Sequence, residues 1–294
     1  TIHLGPGNDS FDVLVYQGMK ISIQGEEGSF HHAAAKKLLG EDIDIIACSN
    51  FSETIEKLVS GEAEKALLAI ENSLFGSINE VYDLILANKV TITGEIYLRI
   101  QQCLIGLPGA EIETIKEVHS HPVALAQCEN YLSSKLPYAK RFENRDTAGS
   151  VADVKKWGDP TKAAIGGQEA ANLHGLRVIE VEIETNKQNY TRFVLLSSKT
   201  QKLPSNSDKT SLVIRTPADR KPGSLYRALG VFAENDVNIF VLHSRPIIGK
   251  AWHYMFYLDI GSSPKEENFQ AMMEELKIQG CQVVVLGSYK NGML

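Results

Sequence analysis

The sequence has few cysteines, and none is placed for chemistry. Four occur among 294 residues, at Cys48, Cys103, Cys128 and Cys281. No two of them form a CxxC pair, so neither a zinc site nor a redox motif is indicated. We expect reduced, mostly buried thiols.

Long apolar runs are also missing. Runs such as 66–70 and 283–286 are far too short to span a bilayer. The N-terminus lacks the basic region and apolar block of an export signal. These absences predict a cytoplasmic protein without a membrane partner.

The sequence contains no block of positive charge. Its formal net charge is -6, which argues against nucleic acid or an anionic membrane surface as a partner. An acidic substrate would therefore need hydrogen-bond donors at specific places. The adjacent histidines His31 and His32 lack the i, i+4 spacing of a helical metal site, so we expect no metal.

The bulk composition is that of a soluble globular protein. Hydrophobic residues make up 43% and charged residues 22% of the chain, which is too long for one ordinary core, so two or three domains are expected. Met19, Lys20 and Ile21 look like the start of a protein whose first strand begins at once. We therefore leave 1–18 out of the functional interpretation, as a native or added N-terminal extension.

From Lys20 onward, short apolar runs alternate with helical patterns. This alternation is typical of βαβ units and a largely parallel sheet. A polar stretch at 197–209 is typical of a linker. After it, the order strand, helix, strand, strand, helix, strand predicts a small ferredoxin-like βαββαβ domain.

Several strand-like runs end in small or hydroxyl residues that could cap a following helix. Ser29, Ser77, Ser120 and Asp146 stand at four such junctions. Helix N-termini carry unpaired N–H groups and partial positive charge, and in an open parallel sheet they point to the edge where ligands bind. The junctions therefore suit a small anion, although each could equally serve only as a cap.

Read together, the junctions resemble prephenate dehydratases and the related arogenate dehydratases. The resemblance covers nearly all of 19–290. It rests on the motifs GEEGSF at 25–30, ENSLFGSI at 71–78, SHPVALAQC at 120–128, DTAG at 146–149 and NYTRF at 189–193.

The resemblance implies an α/β architecture in two parts. A catalytic region with the two-lobed fold of periplasmic binding proteins precedes a regulatory domain that resembles an ACT domain and has the ferredoxin-like order. The implied boundaries are 19–200 for the catalytic region (lobe 1 about 19–97 and 176–200, lobe 2 about 98–175), 201–209 for the linker and 210–290 for the ACT domain.

The resemblance also implies a reaction, the decarboxylating dehydration of prephenate to phenylpyruvate in L-phenylalanine biosynthesis. Because no redox step occurs, no cofactor is expected. Arogenate, which carries an amine in place of the side-chain keto group, is the alternative substrate. A two-lobed protein that binds a small anion without chemistry is the alternative from another class.

Site residues follow from the matching motifs. Thr191 is implied as the donor that assists the departing hydroxide, with Glu71 as runner-up, and Arg192 as the partner of a substrate carboxylate. Phe193 is expected mainly to pack the strand. The expected ligands for carboxylate and carbonyl oxygens are Ser29, Asn72, Ser73, Ser120, His121 and Thr147.

The C-terminal resemblance implies L-phenylalanine as an effector. It rests on two motifs, at 223–225 and 243–246. The implied effector-binding residues are Gly223, Ser224, Leu225, His243, Ser244, Arg245 and Pro246. Ser224 and His243 depart from the family, which commonly has Ala and Glu there. Because ACT domains commonly pair, a homodimer or homotetramer is expected.

Overall fold

The computed structural model describes residues 18–198, 204–217 and 222–292. The extension at 1–18, apart from its last residue, and the first part of the expected linker lie outside these ranges. Within them, no helix combines the length and the apolar character that crossing a membrane requires.

The first lobe contains five consecutive strands and three helices. They are β1 Met19–Gln24, α1 Phe30–Leu39, β2 Ile43–Cys48, α2 Phe51–Ser60, β3 Lys65–Asn72, β4 Gly76–Ser77, α3 Asn79–Asn88 and β5 Thr91–Arg99.

The chain then builds the second lobe and returns. The elements are β6 Cys103–Gly106, β7 Glu117–Ser120, α4 Pro122–Gln127, α5 Glu129–Lys135, β8 Lys140–Glu143, α6 Thr147–Trp157, β9 Lys162–Gly166, α7 Gln168–His174, β10 Arg177–Glu180 and the returning strand β11 Tyr190–Ser197.

The C-terminal domain follows with β12 Lys209–Arg215, α8 Ser224–Glu234, β13 Ile239–Pro246, β14 Tyr254–Ile260, α9 Glu267–Ile278 and β15 Gln282–Tyr289. Its sheet has the order β13-β14-β12-β15. The sequence of elements confirms the ferredoxin-like βαββαβ unit.

The two lobes have separate sheets. The first has the order β2-β1-β3-β11-β5, with β4 paired to β3, and the second has the order β10-β6-β9-β7-β8. Strand β3 is central, and its first six residues are buried; after Lys65 they form a continuous apolar run through Ile70, as expected for a strand covered on both faces. Its polar end, Glu71 and Asn72, lies where the buried run stops.

One expected lobe boundary is wrong. Residues 176–180 were assigned to the first lobe, but β10 pairs antiparallel with β6, with Arg177 opposite Gly106. This pairing joins β10 to the second sheet. The chain therefore returns to the first lobe only with β11, after Glu180.

The C-terminal domain shares a core with the first lobe. Val194 and Leu196 of β11 belong to the same buried cluster as Val213, Tyr257 and Leu286 of the C-terminal sheet. The domain therefore packs directly against the strand that carries the NYTRF motif.

Candidate active site

A cavity of about 580 Å³ opens between the lobes. Both lobes contribute to its wall, and the returning strand β11 lies at its base. Six of the expected site residues line it: Ser29, Asn72, His121, Thr147, Thr191 and Phe193.

Asn72 and Thr191 face each other across neighbouring strands, β3 and β11. The Asn72 side-chain amide donates to the Thr191 hydroxyl oxygen at 2.9 Å. The Asn72 carbonyl oxygen accepts from the backbone N–H groups of Leu74 and Phe75 at 3.0 and 3.1 Å. These two backbone bonds fix the orientation of the amide.

Because the Thr191 oxygen accepts this bond, its own proton can be donated to a molecule in the cavity. The residue is 8% exposed, so its hydroxyl is held by its surroundings rather than by bulk water. A fixed donor of this kind can stabilise negative charge that develops on a departing oxygen.

Three helices begin at the cavity. Ser29 caps α1 by accepting from the His32 N–H at 3.3 Å, and Thr147 is the first residue of α6, which Asp146 caps. His121 Nδ1 accepts from the Val123 N–H at 3.2 Å, so His121 rather than Ser120 caps α4. Their N-termini provide partial positive charge in an acidic protein.

Arg192 does not face the cavity, which corrects its expected role as a carboxylate ligand. Its side chain is 2% exposed and pairs with Glu95 at 2.7 Å and Asp259 at 2.6 Å. Successive side chains of a strand point to opposite faces. With Thr191 and Phe193 on the cavity wall, the residue between them points away from it.

Three other expected residues also lie off the cavity wall. The Ser73 hydroxyl donates to the Gln188 carbonyl at 2.7 Å, and the buried Ser120 hydroxyl donates to the Ile165 carbonyl at 2.7 Å. Glu71 pairs in register with Arg192 on the far side of the sheet from Asn72. Ser73 and Ser120 thus hold backbone in place, and Glu71 is not positioned as the acid.

Arg145 lines the cavity and was missed from the sequence. Its side chain is 70% exposed and makes only long contacts, 3.4 Å to Glu26 and 3.5 Å to Asp146. Among the described residues that line this cavity, it alone is a lysine or arginine. The signal that could have identified Arg145 in the sequence is its position next to the DTAG motif, just before a helix.

His31 and two glutamines were missed as well. Gln102 and Gln127 line the cavity and bond to each other at 3.1 Å. Burial lowers the pKa of His31 to about 3. The ring accepts from the Ala69 N–H at 3.2 Å and lies edge-on to Phe193 at 4.9 Å between ring centres. It is therefore a neutral wall of the cavity rather than a charged group.

A second cavity, of about 440 Å³, lies in the C-terminal domain. Ser224 and Leu225 line it, together with Lys250 and Trp252. Gly223 precedes α8 with a φ of 81°, a conformation that favours glycine. These residues of the first effector motif lie at one site.

The second effector motif, at 243–246, lies away from that cavity. The His243 ring bonds to the Ser77 hydroxyl at 2.6 Å, and Arg245 forms a bidentate pair with Asp83 of α3. Ser244 and Pro246 are exposed on the other face of β13. In this chain, His243 and Arg245 bind the first lobe and do not line that cavity.

Comparison with known proteins points to one family. A family model described as prephenate dehydratase matches residues 21–201. A bifunctional chorismate mutase/prephenate dehydratase from Enterobacter agglomerans is 31% identical over 92% of this chain and 70% of its own length. Arogenate dehydratase/prephenate dehydratase 2 from Arabidopsis thaliana is 33% identical over 92% and 72%.

Solved structures agree with this fold. Prephenate dehydratase from Arthrobacter aurescens, in complex with L-Phe, superposes with a TM-score of 0.83 at 30% identity over 93% of this chain and 90% of that one. GqqA, described as a novel type of quorum-quenching acylase, gives a TM-score of 0.83 at 30% identity over 92% and 97%. Both likenesses extend over lobes and C-terminal domain together.

Proposed function

This chain belongs to the prephenate dehydratase family, and from that premise we propose that the cavity between its lobes is the site of the family's reaction. The chain is a lyase that converts prephenate to phenylpyruvate in phenylalanine biosynthesis. The observation that carries the assignment of the site is the Asn72–Thr191 hydrogen bond at the base of the cavity.

The reaction breaks two bonds of the prephenate ring. The ring carboxylate leaves as carbon dioxide, and its bonding electrons make the ring aromatic as the C4 hydroxyl leaves as hydroxide, which takes one proton from solvent water to become water. Thr191 donates a hydrogen bond to that oxygen, and Asn72 holds the hydroxyl in position. A threonine hydroxyl is too weak an acid to ionise freely, so the bond strengthens as charge develops on the oxygen.

Arg145 takes the role first expected for Arg192, that of binding a substrate carboxylate. Its guanidinium is exposed and weakly paired, so it can turn toward a substrate carboxylate and bind it through two N–H groups. The N-termini of α1 and α6 provide further donors for the second carboxylate. Together they bind a dianion in a chain of formal charge -6.

Prephenate fits the cavity better than arogenate does. Arogenate would bring an ammonium group that needs an acceptor. Asp146 provides the one carboxylate among the described residues of the cavity wall, and it already accepts from the Gly149 N–H at 2.6 Å while lying beside Arg145. A keto group needs only donors, which the wall supplies.

The two substrates can be compared directly. The purified protein is incubated with prephenate or arogenate, and phenylpyruvate is followed by its absorbance in alkali and phenylalanine by chromatography. We expect a higher kcat/KM for prephenate. A preference for arogenate would overturn the substrate assignment, and binding without turnover of either would indicate an anion-binding protein instead.

Regulation is assigned to the C-terminal domain. We propose that L-phenylalanine, which is bound in the related Arthrobacter aurescens structure, occupies the cavity lined by Ser224, Leu225 and Lys250. The proposal includes an ACT domain at about 210–290, a homodimer or homotetramer, and a cytoplasmic location. Inhibition then requires that phenylalanine bind one conformation of the chain better than another.

A further inference from the structure

Four buried charges meet where the C-terminal domain packs on the first lobe. Arg192 and Glu95 come from the lobe, and Lys209 and Asp259 from the C-terminal sheet. Their exposures are between 0% and 4%. Arg192 lies 2.7 Å from Glu95 and 2.6 Å from Asp259, while Lys209 lies 2.9 Å from Glu95 and 3.5 Å from Asp259.

Two hydroxyls complete this buried cluster. Arg192 donates to the Tyr289 hydroxyl at 3.0 Å, Tyr289 bonds to Ser211, and Ser211 donates to Asp259. Burial opposes the guanidinium charge, but Tyr289, Asp259 and Glu95 hold the pKa of Arg192 well above its usual value. The guanidinium is therefore charged, with Nε bound to Glu95 and Nη2 bound to Tyr289 and Asp259.

Stability alone is a weak reason for such a cluster. Replacing a buried ion pair by well-packed apolar residues is often neutral or stabilising, whereas its defined geometry can favour one arrangement of the chain. The cluster joins β5 and β11 to β12, β14 and β15. It therefore sets the position of β11 against the C-terminal sheet.

The position of β11 matters most around Arg192. The pairing of β11 with β3 shifts register between Arg192 and Phe193, because Arg192 lies opposite Glu71 and Phe193 opposite Ala69. The extra residue, Ile70, lies on β3, and an irregularity of this kind bends the strand that carries it and re-aims its side chains beside β11. Arg192 is the last residue of β11 before this shift, and its neighbour Thr191, whose hydroxyl faces the cavity, pairs with Asn72 of β3.

We propose that Arg192 is a positioning residue, through which Asp259 and Tyr289 of the C-terminal domain hold the Thr191 hydroxyl at its place in the cavity. The inference rests on the proposed role of Thr191. Arg192 itself touches no substrate. Its effect is on the geometry of the strand, and the C-terminal domain is thereby part of the catalytic apparatus as well as the regulatory one.

The test is a double-mutant cycle between Tyr289 and Thr191. Tyr289→Phe removes one hydroxyl and keeps the ring. We expect it to lower kcat by about 3- to 100-fold, the range of coupling between linked residues, with KM little changed. In the Thr191→Ala background the same change should have no further effect, because the hydroxyl that it positions is gone.

Asp259→Asn is the second variant of the test, and it is expected to behave in the same way. Ser288→Ala is the matched control. Ser288 precedes Tyr289 in β15, and its hydroxyl bonds to Thr210 instead of Arg192. We expect wild-type kcat for this control, and thermal melting of every variant reports whether it is folded.

The outcomes of this test distinguish a failure of the positioning role from a failure of the proposed donor role of Thr191. Equal losses of kcat from Tyr289→Phe in both backgrounds, or no loss in either, would overturn the positioning role while the donor role of Thr191 stands. Full turnover by Thr191→Ala alone would overturn the donor role and the inference with it. If Asp259→Asn fails to fold, the Tyr289→Phe cycle decides.

Discussion

At the scale of single residues, alternation along β11 decides which side chain can reach a substrate. Thr191 and Phe193 line the cavity, so Arg192 between them cannot. The NYTRF motif identifies all three residues but not the face of the sheet to which each side chain points. Alternation along the strand implies that Thr191 and Arg192 do not share a face, so a cation had to be sought at another motif, and Arg145 stands directly before DTAG.

Arg145 is the cation proposed to bind a substrate carboxylate. We expect Arg145→Ala to raise KM for prephenate by about 10-fold or more, because losing a charge-assisted hydrogen bond costs roughly 1.5–3 kcal/mol. Arg145→Lys should recover part of the loss, since it keeps the charge but not the planar fork. Steady-state kinetics measure KM for both variants, with Lys155→Ala at an exposed position of α6 as the control. An unchanged KM in Arg145→Ala would contradict the role.

His31 provides a prediction about pH. Burial lowers its pKa from 6.5 to about 3, so the unfolded chain takes up a proton below pH 6.5 that the folded chain refuses until about pH 3. Stability is therefore lost as the pH falls through this window. In His31→Gln we expect a flatter fall of melting temperature between pH 7 and pH 4.

The control for His31 is His174→Gln, which changes a partly buried histidine at the end of α7. It should leave in place the fall of melting temperature that is due to His31. If His31→Gln also kept that fall, His31 would not be the neutral buried group described here.

At the scale of elements, helix positions were easier to predict than helix caps. The junction at 120–122 was found from its proline, but His121 rather than Ser120 makes the cap. Ser77 was expected to cap α3, but it lies in β4 and bonds to His243. The helix begins after Ile78 without a side-chain cap. A partner 166 residues away in the sequence decided the outcome, and no local pattern reveals such a contact.

That contact leads to a prediction about regulation. Ser77 lines the cavity between the lobes, and His243 belongs to the C-terminal domain, so their bond joins that cavity to the domain proposed to bind phenylalanine. We expect His243→Ala to change the phenylalanine concentration for half-inhibition by about 5-fold or more, the usual order of allosteric coupling. An inhibition curve identical to wild type would contradict this link, and His174→Ala serves as the matched control.

At the scale of the whole molecule, the order of elements was predictable and the interfaces between them were not. The alternation of short apolar runs with helical patterns predicted the α/β lobes. The change of pattern after the linker predicted the βαββαβ domain. The antiparallel strand β10 was assigned to the wrong lobe because its pairing with β6 joins segments about seventy residues apart. The buried cluster likewise joins residues that only the folded chain brings together.

The cluster also predicts a stability effect. Lys209 is 0% exposed and pairs with two carboxylates. Removing one partner of a buried pair leaves charge uncompensated and costs about 3–5 kcal/mol. We expect Lys209→Met to lower the free energy of unfolding by this order in denaturant titrations. Lys277→Met at an exposed pair of α9 should change it little, and equal losses for both would contradict the account.

The most direct measurement is the turnover of prephenate by Thr191→Ala and Thr191→Ser. If the Thr191 hydroxyl assists departure of the C4 oxygen, kcat of Thr191→Ala falls about 10²-fold or more with KM little changed. Thr191→Ser, which keeps a hydroxyl, retains most of the activity. Near-wild-type kcat in Thr191→Ala would contradict the mechanism proposed here.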